Sequence, residues 1–374
     1  MQARHGSEDL LELRCSHKNT NSDQRGGWAR PPCGRADRRM KLHWVNDWDI
    51  RGNGYGYSRH TKMMKKHLQA AGVQMTPEAD VAVHIVIPPG YEPVEGKYNI
   101  MFTMYEGETI PTDWIPRLAE ADMLVVPCRH NKRVFGQYFD GPIEVCPEGV
   151  DPNEYQYIDR KPPGKGEPFR FLWLGASNPR KGWEHASLAW AQWWDEFPRE
   201  HEDSVLIFKT TQIEREERVV RMRGNVIMDT RDYSAENMLA LYGISNCFLF
   251  PTMGEGWGLT LTEACATGLP AIYTPYSGVV DFMDRRYSYP VKYSMKSIGT
   301  IKTNDKGERM PYHTTVSASA DIDSIVRKMW QVYHNYEAAL EKGRKMSEII
   351  RGRFTWAEAA RRFIEIVESA KVAA

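Results

Sequence analysis

Short apolar runs alternate with stretches of helical periodicity along the chain from residue 40 onward. Apolar runs of about four to eight residues, separated by helical segments, are typical of strand–helix–strand units that form a parallel sheet. Before residue 150, the predicted strands are 41–46, 81–87, 99–104 and 123–126, and the predicted helices are 60–71 and 114–120.

A linker interrupts this alternation at residues 159–168, which are rich in proline, glycine and charge. After it, the predicted strands are 169–174, 205–209, 226–228, 247–250 and 271–273, and the predicted helices are 183–196, 235–242 and 261–268. Repeated units on both sides of a linker predict an α/β fold with two Rossmann-like, doubly wound domains facing a central cleft. We place the domains at 40–160 and 161–354.

The segments outside this alternation are of three kinds. Residues 285–315 fit no clear pattern and predict a long insertion beside the cleft. After them the chain becomes helical, and Thr355 and Glu358 fit a capping box that opens a final helix at 355–374. Residues 1–39 carry eight Lys/Arg against five Asp/Glu, a net charge of +3, and no signal-peptide core. We expect a disordered extension or an upstream start codon with Met40 as the natural start, and a basic targeting or binding arm is the alternative.

The charge balance gives no chain-wide signature of polyanion binding, because 49 Lys and Arg face 49 Asp and Glu. Residues 40–150 hold 11 basic and 14 acidic side chains, which argues against duplex DNA as a partner. The cluster of Arg129, Lys132 and Arg133 is a candidate basic patch, and a solvated helix face is its ordinary explanation.

The six cysteines show no CxxC pair and no spacing typical of metal ligands. This pattern predicts a reducing compartment, hence a cytoplasmic location, and no structural zinc. No apolar run approaches the ~20 residues that span a bilayer. We therefore expect no transmembrane segment and leave peripheral membrane contact open.

Two carboxylates lie eight positions apart in the segment Gly254-Glu255-Gly256-Trp257-Gly258-Leu259-Thr260-Leu261-Thr262-Glu263. The segment joins a predicted strand to a predicted helix through a glycine-rich bend. Such a bend presents free backbone N–H groups at a helix N-terminus, which bind phosphate oxygens. Carboxylates on both sides of a phosphate site suit a ligand such as a nucleotide sugar. The alternative is an ordinary glycine bend followed by a solvated glutamate.

With its flanking motifs, this segment resembles the retaining GT-B glycosyltransferases of family 4. The resemblance extends from Met40 almost to the end of the chain. Its motifs are Glu255-x7-Glu263, Leu174-Gly175, Arg180-Lys181-Gly182 and Gly268-Leu269-Pro270-Ala271, with weaker matches at Tyr105-Glu106, Pro147-Glu148-Gly149-Val150-Asp151 and Phe354-Thr355-Trp356.

The resemblance implies a donor-binding role for each matched residue. Glu255 would bind hydroxyls of the donor sugar, and Glu263 would bind the ribose. The backbone N–H groups from Trp257 to Thr260 would hold the diphosphate, and Gly256, Gly258 and Leu259 belong to the same donor-binding segment. Lys181 matches the lysine that the family places on that diphosphate. The family usually has an arginine directly after the glycine that follows the strand at 169–174, and this chain has Ala176 there. Arg180 is therefore expected to supply the second positive charge.

The implied reaction is transfer of a sugar from a UDP-, GDP- or ADP-linked donor to a hydroxyl acceptor, with retention of configuration. Lys181, Arg180 and Glu255 would be the catalytic residues. In a front-face mechanism the leaving phosphate takes the acceptor proton, so no protein nucleophile, metal ion or cofactor is expected. The resemblance also implies a C-terminal helix that crosses back onto the N-terminal domain.

Two motifs of the N-terminal half have competing interpretations. The loop that contains Gly54, Tyr55 and Gly56 has the spacing GxGxG, which disfavours an NAD site. The resemblance places this loop, with Glu106, at the cleft near the acceptor. The triplet at 47–49 matches the DxD motif by which metal-dependent glycosyltransferases of another fold bind their metal ion. Metal binding is disfavoured here, and the alternative is that Asp47 or Asp49 faces the acceptor. His84 and the cluster of Trp190, Trp193 and Trp194 are expected to pack in the core.

Three other functions remain open at this point. A nucleotide-sugar epimerase of the same fold would need further acid/base groups in the cleft, and a phosphorylase would need a pyridoxal-binding lysine. A nucleotide-sugar-binding protein without turnover is the non-enzymatic alternative, and Ala176 is the residue that keeps it open. The sequence leaves the class of acceptor open, and a nucleic-acid acceptor is possible but not indicated by the charge.

Overall fold

The computed structural model describes residues 40–45, 56–176, 178–210, 219–222, 224–303 and 309–373. The expectations for residues 1–39, for the triplet at 47–49, and for Gly54 and Tyr55 lie outside this part of the chain. The described elements belong to one compact unit that begins at residue 39.

The N-terminal half is built on a six-stranded parallel sheet of order β2-β1-β3-β4-β5-β6. Its strands are β1 (Lys41–Trp44), β2 (Gln74–Met75), β3 (Val81–Ile85), β4 (Tyr98–Phe102), β5 (Met123–Val126) and β6 (Ile143–Val145), and its helices are α1 (Gly56–Ala70), α2 (Ile115–Leu118) and α3 (Arg129–Phe135). The central strands are mostly apolar because both faces of the sheet are covered, and the exceptions in β3 and β4, His84 and Asn99, contact each other.

The C-terminal half is built on a seven-stranded sheet of order β13-β12-β11-β7-β8-β10-β9, in which β9 alone is antiparallel to its neighbour. Its strands are β7 (Phe169–Leu174), β8 (Ser204–Lys209), β9 (Val219–Met222), β10 (Val226–Asp229), β11 (Cys247–Phe250), β12 (Ala271–Tyr273) and β13 (Tyr289–Pro290). Its helices are α4 (Trp183–Glu196), α5 (Pro198–Glu202), α6 (Ala235–Ile244), α7 (Leu259–Ala266), α8 (Ile322–His334) and α9 (Tyr336–Arg353).

Residues 285–315, predicted as a long insertion with no clear pattern, contain regular structure that the sequence pattern did not reveal. Besides β13, this region contains a long hairpin of β14 (Tyr293–Thr303) and β15 (Arg309–Ala320). The hairpin leaves the C-terminal half and lies on the N-terminal half. There His313 Nε2 lies 2.7 Å from the carbonyl oxygen of Thr109, and Glu108 donates its N–H to Val316 at 3.1 Å. The hairpin therefore bridges the two halves of the molecule.

Helix α1 was predicted to start at residue 60, and this boundary is wrong. The helix begins at Gly56, so Gly56 belongs to its exposed first turn and not to a loop. The helix after the glycine bend also begins earlier than predicted, at Leu259. In both cases glycines at the boundary concealed helical residues from the pattern, because glycine is as permissive within a helix terminus as in a loop.

Helix α10 (Trp356–Ala373) crosses back onto the N-terminal half. It packs against α1 and the first sheet, and Trp356 and Phe363 share one core with Phe102 of β4. The crossing is close: Val150 donates its N–H to Phe354, and Trp356 donates its own to Val150. The sheet of the N-terminal half is thus covered on one face by a helix more than 200 residues further along the chain.

Thr355 is the N-terminal cap of α10. Its hydroxyl accepts the N–H of Glu358 at 3.2 Å, which confirms this part of the predicted capping box. We expect Thr355→Ala to lower the free energy of unfolding by about 1 kcal/mol, because the N–H loses its partner. Denaturant unfolding measures this loss. Thr355→Ser keeps the hydroxyl and should retain most of the stability, and equal losses in the two variants would contradict the capping role.

Candidate functional site

Arg180 and Lys181 lie on a tight turn between β7 and α4. Asn178 caps this turn, since its side chain accepts the N–H of Arg180 at 2.9 Å. Gly182 ends it in the left-handed region, with φ of 72°. A Cβ at Gly182 would collide with the carbonyl group of Pro251, which follows β11. Only glycine fits here, and the turn is therefore held directly against the strand that leads into the glycine bend.

Lys181, Arg180 and Glu255 form one ion cluster. Lys181 Nζ lies 2.9 Å and 2.8 Å from the two carboxylate oxygens of Glu255. Arg180 approaches the same carboxylate at 3.5 Å and also binds Glu106 at 3.0 Å and the carbonyl oxygen of Gly254 at 2.7 Å. Burial lowers the pKa of Lys181, and the negative charge of Glu255 opposes this shift. Two cations thus converge on one point at the carboxyl edge of the second sheet.

The glycine bend fits tightly between the two halves. A Cβ at Gly254 would collide with the carbonyl oxygen of Glu106, and one at Gly256 would collide with the side chain of Met104. Ser277 fixes the main chain of Glu255: its hydroxyl accepts the Glu255 N–H at 2.7 Å and donates to the Glu255 carbonyl at 3.0 Å. The bend is consequently rigid, and the Glu255 side chain points at the cation cluster because its backbone is held at both ends.

Helix α7 starts directly after the bend. Gly258, with φ of 109°, precedes its first residue, Leu259. The first N–H groups of a helix have no partner within the helix, so those of Leu259 and Thr260 are available to an anion. Trp257 is buried and packs on Phe282 and Phe354. Its side chain therefore anchors the bend in the core.

Glu263 lies one helical turn further along and has a different set of polar contacts from Glu255. The Tyr242 hydroxyl donates to it at 3.2 Å, Tyr155 makes a second hydrogen bond, and Arg59 Nε lies 4.0 Å away. Burial raises the pKa of Glu263 to about 7, while Arg59 and the two hydroxyls oppose the shift. The structure therefore brings Lys181, Arg180, Glu255 and Glu106 together and places Glu263 in a neighbouring cluster.

The remaining candidate residues take structural positions. His84 Nε2 lies 3.1 Å from Asn99 Oδ1 in the core, and Trp190 and Trp193 are buried as predicted. The prediction is wrong for Trp194, which is 42% exposed. Arg129 and Arg133 are on the exposed face of α3 and pair with Asp281 and Glu108. Among the described residues, no group of three or more His, Cys, Asp or Glu could hold a metal ion, and no helix is long and apolar enough to cross a membrane.

Four residues of the site escaped sequence reasoning: Arg59, Tyr155, Tyr242 and Ser277. Arg59 and Tyr155 precede Glu263 by more than 100 positions, and no motif marks them. No sequence motif marks Ser277. In the structure its φ is 59°, a value that is rare for a residue with a Cβ. Its strain is maintained because its hydroxyl and the following N–H both bind the main chain of Glu255.

A family model described as GT4-conflict, Family 4 Glycosyltransferase in conflict systems, matches residues 133–363. No curated protein sequence matches the chain.

Several solved structures are similar in fold. Sucrose-phosphate synthase from Thermosynechococcus elongatus has a TM-score of 0.60 at 13% identity, with 90% of this chain and 100% of that chain covered. An α,α-trehalose-phosphate synthase (UDP-forming) from Burkholderia vietnamiensis has a TM-score of 0.51 at 12% identity, with coverage of 84% and 77%. An E. coli structure described as trehalose-6-phosphate bound with UDP-2-fluoro glucose has a TM-score of 0.55 at 13% identity, with coverage of 83% and 77%. At such identities the likeness concerns the fold, and it confirms the predicted GT-B architecture.

Proposed function

Because the chain belongs to the family 4 glycosyltransferases found in conflict systems, we propose that it transfers a sugar from a nucleotide-diphosphate donor to a hydroxyl acceptor, with retention of configuration and without a metal ion. The resemblance read from its sequence motifs is thereby confirmed at the level of the family.

The observation that carries this proposal is the convergence of Lys181 and Arg180 on Glu255, beside the N-terminus of α7. Breaking the bond between the anomeric carbon and the phosphate oxygen leaves negative charge on the diphosphate. Fixed cations and helix N–H groups stabilise that charge strongly in a site that excludes water. Lys181 and Arg180 would thus supply the positive charge that a divalent cation provides in other transferases.

Glu255 is proposed as a positioning residue. Both of its oxygens are occupied by Lys181, and Arg180 is close to one of them, so it is poorly placed to act as a nucleophile. A bound diphosphate would compete for the two cations and release the carboxylate to accept hydroxyls of the donor sugar. In this reaction the acceptor oxygen bonds to the anomeric carbon as the bond to phosphate breaks. The acceptor proton goes to the leaving phosphate oxygen, which balances the step without a protein base.

The donor is proposed to bind along the bend and α7, with Glu263 on its ribose. The UDP-linked ligand in the E. coli structure of the same fold supports a nucleotide-sugar donor. We extend this proposal to a cytoplasmic enzyme that needs no organic cofactor. The buried thiols of Cys128, Cys146, Cys247 and Cys265 are free, as is usual in a reducing compartment.

A donor screen tests the proposal. The purified chain is incubated with UDP-glucose, GDP-mannose and ADP-glucose, with EDTA or with Mn²⁺, and release of the nucleoside diphosphate is measured. We expect slow hydrolysis of one donor, equal with and without EDTA, and an initial sugar product of the donor's anomeric configuration by NMR. Dependence on Mn²⁺ would contradict the metal-free mechanism, inversion would contradict retention, and binding without any turnover would favour a non-catalytic protein.

A further inference from the structure

Arg59 is a residue of the N-terminal half that reaches the donor-binding helix of the C-terminal half. It lies in the first turn of α1, and its side chain is held between the Glu154 carboxylate, which it binds, and the Tyr155 ring, whose centroid is 5.9 Å away. From this position Arg59 Nε lies 4.0 Å from Glu263 on α7. Among the described residues, it is the only cation this close to Glu263.

Glu263 is nearly enclosed by this cluster. It is 8% exposed, and Tyr155 and Tyr242 are 3% and 0% exposed. A carboxylate so far from water is costly unless a positive charge and hydrogen-bond donors compensate it. The two tyrosine hydroxyls and Arg59 supply this compensation, whereas Glu154 adds a second negative charge that Arg59 also neutralises.

We infer that Arg59 is a positioning residue for the donor: it keeps the Glu263 carboxylate ionised for the nucleotide ribose. This inference rests on the proposed function, since it presumes that Glu263 binds the ribose. A ribose diol offers two O–H donors. The ionised carboxylate can accept one at each oxygen, whereas in the protonated form one oxygen carries a hydrogen of its own. Arg59 thus contributes to donor affinity without touching the donor.

The residues that surround Glu263 come from both halves of the molecule. Tyr242 belongs to α6 of the C-terminal half, Tyr155 to the segment that joins the halves, and Arg59 to α1. Movement of α1 away from α7 would remove the cation and leave Glu263 with hydroxyl partners alone. Since the carboxyl group would then take up a proton more readily, donor binding and the position of α1 are linked.

The experiment compares the wild type with Arg59→Gln. Affinity for the donor that binds among UDP-glucose, GDP-mannose and ADP-glucose is measured by calorimetry between pH 6 and 9. In the wild type, affinity should fall as the pH drops below about 7, where Glu263 gains a proton. In Arg59→Gln the pKa of Glu263 rises further. A rise of one pKa unit would increase the dissociation constant at pH 7 roughly fivefold, because half of the wild-type carboxyl groups are already protonated at that pH. At pH 9 it should return to within about twofold of the wild type.

Two further variants serve as controls. Lys62→Gln removes an exposed cation one turn along the same helix and should leave the pH profile unchanged. Arg59→Lys keeps the charge and should restore the profile in large part. Carboxyl ¹³C NMR, with Glu263→Gln to assign the signal, should show the Glu263 titration displaced to higher pH in Arg59→Gln without any donor present.

The outcomes separate this inference from the function on which it rests. A wild type that binds none of the three donors contradicts the proposed function, and the positioning role with it. A wild type that binds donor, with Arg59→Gln equal to it at every pH, contradicts the positioning role alone. An equal loss of affinity at pH 7 and pH 9 would also overturn it, because that pattern reflects local structural damage and not the charge on Glu263.

Discussion

Replacement of Lys181 by methionine should reduce turnover about 10²–10³-fold, the usual effect of removing one group that stabilises transition-state charge. Lys181 Nζ is within 2.9 Å of both oxygens of Glu255 and shares this carboxylate with Arg180. With the lysine removed, Arg180 alone would face the leaving diphosphate. Methionine retains most of the side-chain volume, so the turn and its contact with Pro251 should persist.

Turnover is measured as release of nucleoside diphosphate from the donor identified in the screen, together with thermal unfolding. Lys132→Met, on an exposed face of α3, is the matched control and should have wild-type activity. Lys181→Arg retains the charge with another geometry and should be intermediate. Normal turnover in a folded Lys181→Met protein would remove Lys181 from the catalytic site.

The largest expected loss of stability is that of Gly149→Ala. An added Cβ at Gly149 would collide with the main chain of Thr355 and Trp356, where no side-chain rotation can relieve the overlap. The same crossing carries the two hydrogen bonds of Val150 to Phe354 and Trp356. We expect a loss of about 3 kcal/mol, at the upper end of the usual range for overpacking, and a Tm lower by roughly 4–5 °C for a folded unit of this length.

Gly352→Ala provides the matched control, since it is the same substitution within α9. No atom lies within 4 Å of the Cβ that it adds. Alanine favours a helix over glycine by about 0.5–1 kcal/mol, so this variant should be slightly more stable than the wild type. Calorimetry of both variants measures the difference, and a Gly149→Ala protein of wild-type stability would show that α10 does not sit tightly on residues 149–150.

The strands were the most predictable part of this fold. The strands at 123–126, 169–174, 247–250 and 271–273 agree with the structure residue for residue, because a strand buried on both faces is a continuous apolar run. The hairpin of β14 and β15 escaped prediction for the opposite reason. Residues 293–299 of the hairpin are mostly exposed, so they carry no continuous apolar pattern. The residues that the hairpin contacts, Thr109 and Glu108, lie about 200 positions earlier in the chain.

The candidate site was predictable where its residues are close in sequence or share a motif. The sequence indicated Lys181, Arg180 and Glu255 as one group, and the structure brings their side chains together. It placed Glu263 in the same cleft as Glu255 and gave no sign of Arg59. The reason is physical: Glu263 owes its environment to α1 and to the segment at 154–155, and a single sequence contains no record of which distant side chains meet.

The crossing of α10 also sets an order of events during synthesis. Phe102 and its neighbours in the first sheet are made early, yet Trp356, Phe363 and Val367 complete their core. For example, the Cys146 thiol contacts the carbonyl oxygen of Ala359 in α10, which lies 213 positions later in the chain. At ~5–20 residues per second, synthesis of the intervening residues takes roughly 10–40 s. Throughout that interval this core is closed only in part, by Met63, Met64 and Leu68 of α1. We therefore expect a nascent chain that stops before α10 to expose apolar surface and to aggregate more readily than the full chain.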